Sequence, residues 1–209
     1  MAGDSGPVEP VEPVEPREAA TVVLLRPSGS GDGFEVFLQR RVPSMAFAAG
    51  MTVFPGGARE PADEHLAATG VRETYEETGV RLQAQDLVPW SRWVTPEGEP
   101  RRYDTLFFVT ALPEGEDALA TGTEMDAVVW LSPADALAAL ERGELAMMPP
   151  TWITLRELGE CPDVPGVLAS ALDRPLVPVR PKLVDDEEGI RLQLPTGESL
   201  RLPGRRPPQ

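Results

Sequence analysis

Short apolar runs, punctuated by glycine and proline, set the rhythm of this chain. Residues 21–25 form a β-branched and aliphatic run that predicts a strand. Residues 27–33 carry turn-forming types, and 34–41 alternate well enough to be the partner strand of a hairpin. An apolar run at 51–54 leads into the loop Pro55-Gly56-Gly57. Residues 64–78 predict a helix. Strands are expected at 86–94 and 102–112, with Leu106-Phe107-Phe108-Val109 central and buried, and another at 127–131. Residues 133–142 predict a helix with Ser132 as N-cap and Pro133 in its first position. A further helix is expected at 152–158, started by Pro149-Pro150. A hairpin of 179–184 and 190–194 is expected around 185–189. Trp93, Phe107 and Trp130 are expected in the core, and the lone histidine, His65, on the surface.

The termini read differently. Residues 7–16 repeat Pro-Val-Glu, and proline at every third position excludes helix and sheet interior. An extended, solvated tail is expected there. The chain thus divides into a tail at 1–17, a catalytic-type domain at 18–160, and a proline-rich C-terminal extension at 161–209.

Composition narrows the functional classes. At 209 residues with 41% hydrophobic content, the chain suits one core-forming domain plus extensions. No run of 18 apolar residues is present, so no membrane helix is expected, and the acidic N-terminus does not resemble a signal peptide. Cys161 is the single cysteine, which suits a reducing cytoplasm. The net charge of −15 argues against a nucleic-acid partner. It permits a small polyphosphate substrate if metal ions and a few arginines line the site.

The chemistry concentrates in one segment. Glu73, Glu76 and Glu77 are spaced i, i+3, i+4, so a helix places their carboxylates on one face. Three like charges repel; a divalent cation such as Mg²⁺ reverses the sign, because carboxylate oxygens are its preferred ligands. An acidic helix face is more often simply solvated, but the surroundings here favour a ligand. Arg72 adjoins the cluster and can orient a carboxylate. Gly56 and Gly57 let backbone approach closely. Gly79 stands where a helix can end in a left-handed turn.

Together these segments resemble the Nudix box, Gly-x5-Glu-x7-Arg-Glu-U-x-Glu-Glu-x-Gly-U, with U a bulky aliphatic residue. Glu64-x7-Arg72-Glu73-x2-Glu76-Glu77-x-Gly79-Val80 fits the second half, with Thr74 at an aliphatic position. Six residues rather than five separate Gly57 from Glu64, and Asp63 satisfies the first spacing but not the second. The extra residue is expected in the loop 58–63. The resemblance implies an α/β fold, an α/β/α sandwich on a mixed sheet. It also implies Mg²⁺ or Mn²⁺ held by Glu73, Glu76, Glu77 and the carbonyl of Gly57, and attack of water on a diphosphate.

Segments outside the box bear on substrate. Leu38, Arg41 and Gly50-x3-Phe54-Pro55-Gly56-Gly57 match the signature of coenzyme A diphosphatases, in which Gln39 replaces a threonine and Ala46 an arginine. Ser44-Met45-Ala46-Phe47, Trp93-Val94-Thr95-Pro96, the run 101–108, Trp130-Leu131-Ser132-Pro133 and Met148-Pro149-Pro150-Thr151 are similar to the peroxisomal type of acyl-CoA diphosphatase and its bacterial relatives. Arg41, Arg101 and Arg102 are the candidate phosphate contacts, and Met45, Phe47, Met147 and Met148 candidate lining for an apolar arm. Glu76 and Glu124 are the candidate general bases. The expectation is a diphosphatase acting on CoA or acyl-CoA. ADP-ribose or a dinucleotide is the alternative substrate, and a non-catalytic nucleotide sensor the alternative class. The expected partner is a small nucleotide-diphosphate substrate, with a homodimer left open.

Overall fold

The computed structural model of the protein describes residues 14–29, 31–42, 48–121, 125–186 and 189–201. In chain order its strands and helices are β1 (Arg17–Pro27), β2 (Phe34–Arg41), β3 (Thr52–Val53), β4 (Gly56–Ala58), α1 (Leu66–Thr78), β5 (Val88–Val94), β6 (Tyr103–Ala111), β7 (Met125–Leu131), α2 (Pro133–Glu141), α3 (Pro149–Leu158), α4 (Val164–Leu172), β8 (Lys182–Asp186), β9 (Gly189–Gln193) and β10 (Ser199–Arg201). The predicted 21–25 strand runs longer in both directions because β1 has partners along its whole length. It pairs in parallel with β6, and antiparallel with β2 at one end and β4 at the other.

The seven strands β1 to β7 form one mixed sheet, in which β3, β2, β1, β6 and β5 are neighbours, β4 adds to β1 and β7 to β2. Alternation along β1 sends Val22 and Leu24 to one face and Val23 and Leu25 to the other. The first face, with Phe37 and Phe108, is covered by α1 through Leu66, Ala67 and Val71. The second, with Val36, Leu38 and Phe107, is covered by α2, α3 and α4. This is the α/β/α sandwich expected from the sequence. Trp93 and Phe107 are buried, and half-buried Trp130 meets Phe37 edge-on with ring centroids 5.3 Å apart.

The C-terminal segment is woven into the same core. Val164, Val167 and Ala171 of α4, and Leu192 and Leu194 around β9, pack with Val23, Trp90 and Leu155. Arg174 stacks on Trp90 at 3.9 Å, and Trp90 Nε1 donates to Glu157 at 3.0 Å. Val179 pairs with the outer edge of β5, where its N–H donates to the Arg92 carbonyl at 2.7 Å. Helix α4 lay outside the sequence expectations, whereas the C-terminal hairpin is present as β8 and β9. Among the described residues no helix is long and apolar enough to cross a membrane.

Burying a valine or leucine side chain contributes about 1.5–3 kcal/mol, and a whole domain is stable by only about 5–15 kcal/mol. Val164, Val167, Leu192 and Leu194 together therefore matter on the scale of the entire fold. A chain truncated after residue 160 is expected to lose its cooperative thermal transition in circular dichroism. A sharp melt within a few degrees of the full chain would show that the extension is dispensable.

Candidate active site

Helix α1 owes its position to both ends and to small residues between them. Nδ1 of the exposed His65 accepts from the N–H of Ala68 at 3.0 Å and caps the first turn. Gly79 closes the last turn in a left-handed conformation, its N–H donating to Tyr75 at 2.9 Å. The buried face carries Thr69, Gly70, Thr74 and Thr78 rather than large side chains, so the helix lies close against β1. The segment before β7 secures the same end: Leu119 N–H donates to the Thr78 carbonyl, Thr121 N–H to that of Glu77, and Thr121 Oγ1 to that of Glu76.

This close seating presses two of the predicted carboxylates into the protein. Glu77 is buried, and its Oε2 accepts from the Gly56 N–H at 3.0 Å and from Gln39 Nε2 at 2.5 Å. Burial nevertheless pushes its carboxyl up to about 7, against those two donors and the nearby charge of Arg41. The Glu73 carboxylate lies against Gly57, where any Cβ would collide with it. Burial raises its pKa as well, with Arg72 opposing. Glu76 is different: its side chain is 55% exposed and touches only the rim of the cluster.

Arg72 connects the group. Its guanidinium donates to Glu73 at 2.9 Å, Glu76 at 3.2 Å, the Ala58 carbonyl at 3.1 Å, and both carboxylate oxygens of Asp63 at 3.0 and 3.2 Å. Here the structure corrects the expected register. Asp63, not Glu64, is the acidic partner of Arg72, so the extra residue lies between Asp63 and the helix and not in the loop 58–63. The reason is a tight turn. The Asp63 N–H donates to the Glu60 carbonyl at 3.0 Å, and the Glu60 N–H returns to Asp63 Oδ2 at 2.9 Å. Thr69 Oγ1 adds a third donor at 3.0 Å. Asp63 is thereby held well below the usual carboxylate range, mainly by Arg72. Glu64 is exposed.

The other expected site residues are dispersed. Arg41 ends β2 half-buried, its Nε without a hydrogen-bond partner among the described residues and its charge felt at Glu77. Arg101 is exposed before β6. Arg102 is buried and donates to the Thr95 carbonyl at 3.1 Å and the Val14 carbonyl at 2.8 Å, so its guanidinium serves to hold the N-terminal segment. Glu124, Met45 and Phe47 lie outside the described residues. Met147 is buried and bridges to Thr52. A cavity of about 470 Å³ lined by Leu38, Val129, Leu131, Ala139 and Leu145 lies on the opposite, α2 face of the sheet. Gln39 and Thr121 were not expected at the site. The alternation along β2, which puts Gln39 on the same face of the sheet as Phe37, was the available signal for the first.

The carboxylates are not gathered around one point. Glu73 and Glu76 turn to Arg72 and Glu77 to Gln39, and among the described residues no three acidic, histidine or cysteine side chains converge as a ready cation cage. The donor set still fits a hard divalent cation. It offers oxygen ligands only, two of them desolvated without enough positive charge nearby, beside a glycine whose missing side chain makes room.

Two consequences follow for stability. Breaking a largely buried ion pair leaves the remaining charge uncompensated, so Asp63→Ala is expected to cost about 2–4 kcal/mol, and Glu64→Ala less than about 0.5 kcal/mol. Thermal melts of both variants decide the register, and the reverse order would restore Glu64. The pH response of the metal-free protein has two opposing parts. Stability from Asp63 is complete above about pH 4 and is lost as pH falls below it. Glu77, raised in the folded state, contributes stability that is present below about pH 4.5 and is lost as pH rises through about 7. Denaturant unfolding should therefore show stability falling between pH 5 and 7, and Glu77→Gln should flatten that fall; equal slopes in both proteins would contradict it.

Comparison with known proteins shows the family. The NUDIX domain model matches residues 15–150. The chain is 25% identical over 187 residues to the Caenorhabditis elegans protein designated nudix hydrolase 7, covering 70% of this chain and 62% of that one. It is 34% identical over 71 residues to the human acyl-coenzyme A diphosphatase NUDT19, a stretch of 33% of this chain and 19% of the human protein. The chain thus spans less than two thirds of the length of these curated relatives. The crystal structure of a NUDIX hydrolase from Alicyclobacillus acidocaldarius superposes with a TM-score of 0.67 at 27% identity, covering 78% of this chain and 99% of that one. With its box helix seated on a mixed sheet between helical layers, the chain belongs to the NUDIX domain family.

Proposed function

We propose that the protein is a metal-dependent diphosphatase that hydrolyses the diphosphate linkage of a nucleoside diphosphate joined to another group. The observation that supports this most is the pair of desolvated carboxylates, Glu73 and Glu77, facing Gly56 and Gly57 on the box helix. Glu73, Glu76, Glu77 and the Gly57 carbonyl would hold Mg²⁺ or Mn²⁺. Such an ion supplies Lewis-acid polarisation of a phosphoryl oxygen and acidifies water.

The chain's own residues supply the rest. Glu76 is the proposed acceptor of the attacking water's proton, a role its exposure supports. The water oxygen joins one phosphorus as the bridging P–O bond breaks, and the departing phosphate carries the bridging oxygen away. Without the ion, Arg72 holds the Glu73 and Glu76 carboxylates on the helix face. Arg41, whose charge reaches Glu77 and whose Nε has no hydrogen-bond partner among the described residues, is the proposed phosphate contact.

CoA or an acyl-CoA is the proposed substrate. The support is the set of motif segments on both sides of the box and the partial similarity to the human acyl-coenzyme A diphosphatase. A panel of CoA, acyl-CoAs, ADP-ribose, NADH and a nucleoside triphosphate, with Mg²⁺ or Mn²⁺, tests the reading. The highest kcat/KM is expected for a CoA species, with phosphopantetheine released; preference for ADP-ribose or NADH would move the assignment to a dinucleotide-type diphosphatase. On the preferred substrate, Glu77→Gln is expected to lower kcat about 10²-fold or more, the scale of losing several kcal/mol of charge stabilisation. Near-normal turnover of that variant at saturating Mg²⁺ would refute the metal site, and no turnover of any substrate by the parent protein would favour a sensor.

A further inference from the structure

We propose that Gln39 is a positioning residue for the metal centre, one that dictates which oxygen of Glu77 meets the cation. The inference rests on the reading of α1 as the ligand helix. Gln39 Nε2 donates to Glu77 Oε2 at 2.5 Å, and the Gly56 N–H donates to the same oxygen at 3.0 Å. These donors come from different elements, β2 and β4, and they converge on one atom. A carboxylate oxygen has two lone pairs in its plane. With both taken at Oε2, only Oε1 of Glu77 would be left to meet a cation.

The glutamine has little freedom to do otherwise. Its strand is paired on both sides, to Val53 of β3 and to Val128 of β7, and the residue is 1% exposed. With Glu77 ionised, as cation binding requires, its oxygens only accept, so the NH₂ group faces it. That leaves Gln39 Oε1 buried with no hydrogen-bond partner among the described residues. A buried acceptor of this kind is costly unless something meets it. It stands beside Glu77, free to accept an O–H from a water in the ion's outer shell. The Glu77 contact and the spare acceptor both place this side chain in the supporting shell that tunes a metal site. A hydrophobic residue at the same position would fill the space and supply neither contact.

The test is Mn²⁺ affinity, read by electron paramagnetic resonance of the free ion, with no substrate present. The proteins are the full chain, Glu77→Gln, Gln39→Leu and Gln39→Met, with thermal melts to confirm folding. The Gln39 variants are expected to bind Mn²⁺ at least about tenfold more weakly than the parent while melting cooperatively. Affinity within twofold of the parent in a folded Gln39 variant overturns the proposal. If neither variant folds, infrared difference spectra of the ¹³C-glutamate-labelled parent, with and without Mn²⁺, decide it. Carboxylate bands of single-oxygen binding support the role of Gln39, and only chelating bands overturn it. A parent that does not bind Mn²⁺, or Glu77→Gln binding as the parent does, would instead remove the metal-centre reading itself, and the role of Gln39 with it.

Discussion

All five N–H donors of Arg72 are engaged, on Asp63, Glu73, Glu76 and the backbone of β4. The rest of the site depends on this one guanidinium. It ties the turn before α1 to the helix, and the helix to the strand that carries Gly57. It also sets a charge imbalance. Asp63, Glu73 and Glu76 share a single cation, while buried Glu77 has only the field of Arg41 and two neutral donors. Burial without sufficient counter-charge is what raises Glu73 and Glu77 above the ordinary carboxylate range. In a structural network that imbalance is a plain cost. In the proposed diphosphatase it is the condition for attracting a divalent ion.

The scaffold delivers this imbalance through backbone placement. Small residues on α1 let it approach β1, and β4 pairs with the same strand, so Gly56 and Gly57 stand opposite Glu77 and Glu73. β2, which pairs with the other end of β1, brings Gln39 to Glu77. The bonds from Leu119 and Thr121 satisfy carbonyls at the end of α1 that would otherwise lack partners. The carboxylate-bearing face is therefore held by three parts of the chain that are distant in sequence.

The carboxylate face of α1 was legible from spacing alone, because i, i+3 and i+4 positions share a helix side whatever the tertiary context. The central strand β6 was legible because a continuous apolar run fits a strand covered on both faces. The acidic partner of Arg72 was not. Counting residues locates an insertion only within a segment, and the choice between Asp63 and Glu64 is made by a turn at Glu60 that spacing does not encode. Gln39 was read as a departure from a motif, since its partner Glu77 is 38 positions away. Helix α4 escaped because Pro165 and Gly166 sit in its first turn, although Asp163 does cap it, its side chain accepting from the Gly166 N–H at 2.8 Å. For Arg102, sequence showed a cation next to a strand but not the carbonyls that occupy it.

The most direct measurement is anomalous X-ray diffraction from crystals of the full chain soaked in Mn²⁺. The account predicts one anomalous peak bonded to carboxylate oxygens of Glu73, Glu76 and Glu77 beside the Gly57 carbonyl, with Glu73 drawn away from Arg72. A peak elsewhere, with Glu73 still on Arg72 and Glu77 still held only by Gln39 and Gly56, would contradict it.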